Sequence, residues 1–361
     1  MYFAGAPVRT VLVWAPTSGH IGTSMSPPTS GRCSPSRATA DRVLARRSMR
    51  DYPDGADVGT PQGVHMYTNV TIGVDGAQGG RNAAALAAAL ADRDAVMTLV
   101  FVCLPNVRGS ARELAGVEER TLWSLLEREL ELCGGQARIC RVTADSVGAG
   151  LEEAAADTGS DLVVVGASSR HGIARLWLGD DARSVLRETP RAVAVVPPSY
   201  EYQPNILARI GVAYDGSPES NVALAHAGLL AQQRNSELIL RHVVGAHIYP
   251  LGVPAIVPPV VTPASELEAA GMGEVDGLSV EHAYGVPREQ LVEFSKWVDL
   301  LVCGSRHNGL LERLANGSTS HYLARHSEAP LLIAPSIDTE AVARWQAEQN
   351  AVVGSPVGAE H

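Results

Sequence analysis

Lysine is nearly absent from this chain of 361 residues, because Lys296 is the one lysine among its 29 basic residues. A Walker A loop needs a Gly-Lys-Ser/Thr step to hold phosphates, and a protein kinase needs a lysine on a strand of its nucleotide site. Lys296 lies in the sequence Phe-Ser-Lys-Trp and fits neither pattern. The sequence therefore excludes these two classes of nucleotide-binding protein.

Paired cysteines, long apolar runs and an excess of positive charge are missing as well. The five cysteines include no Cys-x-x-Cys pair, so neither a zinc site nor a disulfide framework is predicted. The longest run of small or apolar residues, 83–91, is about half of what a membrane-spanning helix requires. A formal net charge of -10 disfavours nucleic acid and anionic membranes as partners. The chain also begins without the pattern of a secretory signal, which predicts a cytoplasmic location.

The composition divides the chain into four parts. Residues 1–65 are rich in Pro, Gly and Ser. Only the stretch 8–14 is strand-like and no periodic apolar pattern follows it, which predicts a disordered extension. Met66 directly precedes the first clear strand, so a translation start at Met66 is a second interpretation of this prefix. Two similar domains are predicted at 66–198 and 205–336, followed by a C-terminal tail at 337–361.

Strands and helices alternate through the first predicted domain. Continuous apolar runs predict strands that are covered on both faces of a parallel sheet, and the Ala/Leu-rich or amphipathic stretches between them predict helices. The predicted strands are 69–74, 96–103, 137–142, 161–166 and 192–196, and the predicted helices are 81–93, 111–132, 147–158 and 180–188. This order predicts an α/β fold with a doubly wound, five-stranded parallel sheet.

The second half of the chain repeats the first. The strand at 209–215 corresponds to 70–75, and Asp299–Gly304 repeats Asp161–Gly166 at an offset of 138 that holds without a gap to Pro335. A match of this length indicates an internal duplication. Both halves are therefore predicted to share the same doubly wound fold.

The candidate site lies beyond the carboxyl ends of the strands, where open parallel sheets bind their ligands. In the second half the strands end at Asp215, Val243 and Gly304, and Gly317-Ser318-Thr319 opens the following helix. Free backbone N–H groups and hydroxyls at the positive end of a helix dipole favour an anion, and phosphate is the expected one. The equivalent strand ends of the first half are Asp75, Val102 and Gly166.

These motifs resemble those of the universal stress protein family, and the resemblance covers two copies of its domain between Met66 and Ser336. The family's nucleotide signature is Gly, two residues, Gly, nine residues, Gly and Ser or Thr. The second half follows it at Gly304, Gly317 and Ser318, with His307 in place of the second glycine. The first half has Gly166 and Gly179, but Ser169 replaces the second glycine and Asp180 replaces the hydroxyl residue.

The resemblance implies ATP binding, with the strand-end Asp near the nucleoside, the end of the second strand near adenine, and the signature loop around ribose and phosphates. The implied contacts are Asp215, Val243, Gly304, His307, Gly317, Ser318 and Thr319 in the second half, and Asp75, Val102, Gly166, Ser169 and Gly179 in the first. The predicted cofactor is ATP in the second domain, with Mg²⁺ as an optional companion ion. The resemblance further implies an internal pseudo-dimer through the fifth strands, 193–196 and 331–333, or a homodimer.

The first half is expected to bind nucleotide weakly or not at all. Asp180 and Asp181 place carboxylates where a phosphate would bind, and Trp177 is bulky where the second half has Ala315. Repulsion between unit charges ~4 Å apart is about 4 kcal/mol at an effective dielectric of 20, less any screening by salt. Asp75 and Asp215 have two open interpretations, ligand contact or capping of the following helix.

Three functions are compatible with these sequence features. The preferred hypothesis is a cytoplasmic stress-response regulator that binds ATP mainly in its second domain and acts on an unidentified protein partner. The alternative is a protein-interaction module that uses no nucleotide. A slow ATPase is the least favoured, because the sequence lacks recognised catalytic motifs such as His-Glu-x-x-His and Gly-x-Ser-x-Gly.

Overall fold

The computed structural model describes residues 10–13, 66–104, 124, 126–133, 137–166, 185, 189–200, 207–245, 247–248, 254–255, 278–305 and 319–353. In the first half the elements are β1 (Thr10–Val13), β2 (Asn69–Gly73), α1 (Gln78–Leu90), β3 (Val96–Cys103), α2 (Glu127–Leu132), β4 (Ala137–Thr143), α3 (Val147–Thr158), β5 (Leu162–Gly166) and β6 (Ala192–Val196). Strands β2, β3, β5 and β6 are almost wholly buried, as their continuous apolar sequences predict.

The second half repeats the order of the five core strands and adds the two-stranded sheet of β9 and β10 and the C-terminal helix α7. Its elements are β7 (Arg209–Tyr214), α4 (Pro218–Arg234), β8 (Glu237–Gly245), β9 (His247–Ile248), β10 (Pro254–Ala255), β11 (Leu278–Gly285), α5 (Pro287–Ser295), β12 (Leu300–Gly304), α6 (Thr319–His326), β13 (Leu331–Ala334) and α7 (Thr339–Val353). The bounds of helix α4 are set by residues that cap its two ends. The Ser217 hydroxyl accepts a hydrogen bond from the Ser220 N–H at its start, Pro218 occupies the first turn, and Asn235 ends it in the left-handed conformation with φ 54°.

One sheet of eleven strands runs through both halves in the order β1-β4-β3-β2-β5-β6-β13-β12-β7-β8-β11. Within each half, pairing from β4 to β6 and from β13 to β11 is parallel. Chain order reverses beside β2 in the first half and beside β7 in the second, which is the doubly wound topology. The predicted fold class is confirmed, and the site is expected next to these reversals.

The two halves join through their fifth strands, as expected. Strand β6 pairs antiparallel with β13, with Val193 opposite Ile333 and Val195 opposite Leu331. All five residues of β6 and all four of β13 are buried. Each strand would otherwise be an open apolar sheet edge, so the pairing removes two edges prone to association.

A polar network inside the interface links the halves a second time. The Tyr67 hydroxyl lies 2.9 Å from His226 Nδ1, and His226 Nε2 lies 3.0 Å from Asp338 Oδ2. Tyr67 and His226 are buried, with 1 % and 2 % of their surface exposed. A neutral imidazole protonated at Nε2 accepts from Tyr67 and donates to Asp338, so these buried polar groups are satisfied.

The N-terminal extension is predicted from its composition to be disordered, and for residues 10–13 this prediction is wrong. Strand β1 pairs antiparallel with β4, with Thr10 opposite Arg141 and Val13 opposite Arg138. The outer edge of β4 presents backbone N–H and C=O groups that a further strand can satisfy. The rest of residues 1–65 lies outside the described ranges.

The predicted C-terminal tail contains helix α7, which packs against α4. Trp345 is 2 % exposed, and a Cβ added to Gly228 would lie 2.4 Å from the Trp345 ring. The missing side chain at Gly228 thus leaves the space for the indole. Among the described residues, no helix is long and apolar enough to cross a membrane.

Candidate functional site

A cavity of about 290 Å³ opens at the carboxyl ends of β7, β8 and β12, beside the chain reversal of the second half. The starts of helices α4, α5 and α6 close its sides. The lining residues are Ala213, Tyr214, Asp215, Ser217, Glu219, Ser220, Arg241, Val243, Pro287, Leu291, Cys303, Gly304, Thr319 and Ser320. Four residues of the predicted site, namely Asp215, Val243, Gly304 and Thr319, are therefore brought together. The other three, His307, Gly317 and Ser318, lie outside the described residues.

Asp215 lines the cavity and also holds the turn into α4. Its Oδ1 accepts hydrogen bonds from the Ser217 N–H at 3.2 Å and from the Ser217 hydroxyl at 2.5 Å. Ser217, not Asp215, is the N-cap of the helix. The interpretation of Asp215 as the helix cap is therefore wrong: Asp215 holds the residue that caps the helix, and it also lines the cavity.

Close packing between β12 and α4 requires a glycine at position 304. A Cβ on Gly304 would lie 2.5 Å from the backbone oxygen of Glu219, a distance that real Cβ atoms do not adopt. The absence of a side chain lets the first turn of α4 lie directly over the end of β12. This contact brings Glu219 and Ser220 to the wall of the cavity.

The cavity wall contains both hydroxyls and apolar groups, and strands β12 and β8 lie on either side of β7. Thr319 is exposed at the start of α6, where the helix dipole is positive, and Ser320 follows it. Val243 is half-buried and belongs to the apolar cluster that includes Leu291. The cavity thus combines one polar, dipole-positive end with one apolar end.

Cys303 lies in the cavity wall as a protonated thiol. Burial raises its pKa to about 12, so the reactive thiolate is not formed at neutral pH. Within the part of the chain that the structure describes, no group of three His, Cys, Asp or Glu side chains could hold a metal ion.

Arg241 is among the cavity residues that sequence reasoning missed. Its guanidinium pairs with Glu281 of β11 and lies 4.4 Å from the centre of the Phe294 ring. The sequence does contain a sign of its special position, since a charged residue interrupts the apolar run Leu-Ile-Leu-Arg-His-Val of β8. Only the sheet register, however, places Glu281 opposite it.

The first half repeats the scaffold of the site. Asp75 Oδ1 accepts from the Ala77 N–H at 2.9 Å, as Asp215 does from Ser217, and Gly166 lies so close to Gly79 that a Cβ would meet its carbonyl oxygen at 2.0 Å. Val102 packs against α3, where a Cβ on Gly150 would lie 2.7 Å from it. The other two candidates of this half, Ser169 and Gly179, lie outside the described residues, as do Trp177, Asp180 and Asp181.

The comparison with known proteins now identifies this architecture. A model described as the universal stress protein family matches residues 66–197 and 207–335. The chain belongs to the universal stress protein family. It carries two copies of the domain, as the internal repeat indicated.

Individual relatives agree with this assignment. A universal stress protein of Mycobacterium tuberculosis strain H37Rv is 30 % identical over 183 residues, which is 48 % of this chain and 62 % of that relative. The chain thus matches less than two thirds of that relative's length. A second universal stress protein of the same strain is 26 % identical over 209 residues, covering 53 % of this chain and 69 % of the relative.

A solved universal stress protein from Archaeoglobus fulgidus shares the fold. It superposes with a TM-score of 0.58 and 17 % identity, covering 77 % of this chain and 99 % of that structure. At this identity the similarity concerns the fold alone.

Proposed function

We propose that this universal stress protein is a cytoplasmic stress-response regulator that binds ATP in the cavity of its second domain. The observation that carries the proposal is the convergence of Asp215, Val243, Gly304 and Thr319 on one cavity beside the chain reversal. Doubly wound sheets bind nucleotides at this place. The sequence motif and the position of the cavity therefore support the same site independently.

The chemistry of the cavity suits the parts of a nucleotide. The apolar end at Val243 and Leu291 offers a surface for the base, and carboxylates such as Asp215 and Glu219 can accept hydrogen bonds from ribose hydroxyls. The start of α6 at Thr319 provides N–H groups and a positive dipole end for phosphate. Each feature supports ATP as the ligand.

Calorimetric titration of the full chain with ATP tests the proposal. We expect saturable binding that Thr319→Asp weakens by about tenfold or more, because the new carboxylate repels phosphate at the helix start. Thr339→Asp is the matched control, since Thr339 is exposed at the start of α7 and does not line the cavity.

Two results would contradict the proposal. If the wild-type chain binds no ATP at millimolar concentration, less than about 4 kcal/mol of binding free energy is available and the nucleotide-independent interaction module replaces it. If Thr319→Asp and Thr339→Asp bind ATP equally well, the phosphates do not lie at the start of α6.

A further inference from the structure

An ion pair lies beside the cavity of the second domain, and its arginine lines the cavity wall. Arg241 of β8 stands opposite Glu281 of the edge strand β11 in the parallel register, and their side chains are paired. Arg241 shares the cavity-facing side of β8 with Val243, because residues two apart in a strand point to the same face. The pair therefore adjoins the apolar end of the cavity.

The guanidinium of Arg241 is held on two sides. One terminal nitrogen, Nη2, donates to Glu281, and the guanidinium carbon lies 4.4 Å from the centre of the Phe294 ring. The inner nitrogen, Nε, is buried and has no hydrogen-bond partner among the residues that the structure describes. A buried donor without a partner is unfavourable, so the guanidinium has hydrogen-bonding capacity that the protein itself does not use.

The first half shows that the fold does not require this ion pair. The corresponding positions of β3 and β4 are Val100 and Cys140, which also stand opposite each other. Both are buried, with 1 % and 3 % of their surface exposed. The same position in the same fold is thus filled by two small apolar side chains, and replacing partly buried ion pairs by apolar residues is often neutral for stability.

The acceptor is more suitably a neutral atom than a phosphate. Glu281 neutralises the charge of Arg241, and the start of α6 already offers a position that favours phosphate. Guanidinium has donors only, so its partner must present a lone pair. A purine base in the apolar end presents ring nitrogens of this kind.

We propose that Arg241 is a base-reading residue, whose guanidinium donates a hydrogen bond to a ring nitrogen of a purine bound in the second-domain cavity. The proposal rests on the nucleotide-binding function proposed above. Glu281 and Phe294 act as positioning residues that fix the guanidinium. The apolar pair Val100 and Cys140 gives the first half no such contact.

The test compares ATP with ribose 5-triphosphate, the same ligand without its base, in titrations of the full chain. The double variant Arg241→Val/Glu281→Gln removes the ion pair and leaves the net charge of the chain unchanged. We expect it to weaken ATP binding by about 10- to 100-fold, the value of a hydrogen bond from a charged donor, and to change ribose 5-triphosphate binding by less than about twofold. Glu293→Gln/Lys296→Val is the matched control, since it removes an exposed ion pair of α5 that does not line the cavity.

A ligand-side series identifies the contacted atom. ATP analogues that replace N1, N3 or N7 of adenine by carbon are titrated against the wild type and the double variant. The analogue that lacks the contacted nitrogen should bind the wild type about 10- to 100-fold more weakly than ATP. The double variant should bind this analogue and ATP with equal affinity. Thermal unfolding of every variant checks that the fold is retained.

The outcomes separate the two proposals. If the wild type binds ATP and the double variant binds it equally well, the role of Arg241 is wrong while the nucleotide function stands. If ribose 5-triphosphate loses as much affinity as ATP, Arg241 acts on phosphates and the base-reading role is wrong. If the wild type binds no ATP, both proposals fail together.

Discussion

Gly304 and Gly166 have equivalent positions at the ends of β12 and β5, and each accommodates the first turn of a neighbouring helix. The helix atoms that a Cβ would meet are backbone atoms, at 2.5 Å for Gly304 and 2.0 Å for Gly166. Backbone cannot rotate away as a side chain can, so the helix itself would have to move. The sequence motif assigned these glycines to ligand approach, and the structure adds a packing reason that holds in both halves.

Substitution of the two glycines separates packing from ligand binding. Gly304→Ala and Gly166→Ala should each lower the free energy of unfolding by about 1–3 kcal/mol, because each forces a helix start away from the sheet. Only Gly304→Ala should also weaken ATP binding, since it displaces a wall of the second-domain cavity. Urea unfolding and ATP titration measure the two effects, and equal losses of ATP affinity in both variants would contradict the assignment of the site to the second half.

Among the elements, the first helices of the two halves differ in how they start. Helix α4 begins with Ser217, whose hydroxyl caps it, whereas α1 begins with Ala77, which supplies no side-chain cap. The sequence shows a second difference of the same kind at the signature, Gly179-Asp180 against Gly317-Ser318. Acidic residues at a helix start compete with an anionic ligand for the same positive end of the dipole.

Exchange of the signature residues should move nucleotide binding between the halves. Gly317→Asp should abolish ATP binding by the full chain, because it adds a carboxylate and a side chain beside the expected phosphate position. In that background, Asp180→Ser should restore weak binding by removing the competing charge from the first half. Calorimetry of both variants checks this, and Gly317→Asp binding ATP like the wild type would refute the assignment of the phosphate to this loop.

At the scale of the whole molecule, the two domains form one structural unit. The sheet is continuous through β6 and β13, the Arg234 guanidinium of α4 donates to the Ala91 carbonyl at 2.5 Å, and the network of Tyr67, His226 and Asp338 crosses the interface. Asp338 also accepts from the Ala341 N–H at 2.9 Å and so caps α7. Its hydrogen bond to His226 is the largest of the effects that lower its pKa, against a desolvation effect that raises it.

The network of Tyr67, His226 and Asp338 should make the free energy of unfolding fall as the pH is lowered. A carboxyl whose pKa is lowered by folding stabilises the protein above its unfolded pKa, about 3.9 for Asp, and this contribution disappears as pH falls through the folded value. The Asp338→Asn variant should therefore be less stable than the wild type at pH 7, and the difference should shrink below about pH 4. Urea unfolding between about pH 3 and pH 7 measures this difference in the free energy of unfolding. Asp94→Asn is the control, because Asp94 is exposed. A difference that stays constant with pH would show that the Asp338 charge does not stabilise the network.

Much of the fold could be predicted from local pattern alone. Strand β3, helix α3 and strand β6 have the bounds that their apolar runs and alternation predict, and α1 was misplaced by only one turn, since its start at Gln78 lacks a capping side chain. Burial on both faces forces such strands to be continuously apolar, which is why their sequences are informative. The stretch 8–14 is strand-like in sequence, but its pairing with β4 was not predicted, because so short an edge strand carries no information about its partner.

The sequence by itself determined the duplication, the doubly wound fold and the four described cavity residues Asp215, Val243, Gly304 and Thr319, because apolar periodicity and strand-end motifs are local in the chain. Tertiary structure alone decided which side chains meet across strands and domains. Arg241 and Glu281 are 40 positions apart and Tyr67 and His226 are 159 apart. Such pairs depend on the register of the sheet and the joining of β6 to β13, and no local pattern encodes either contact.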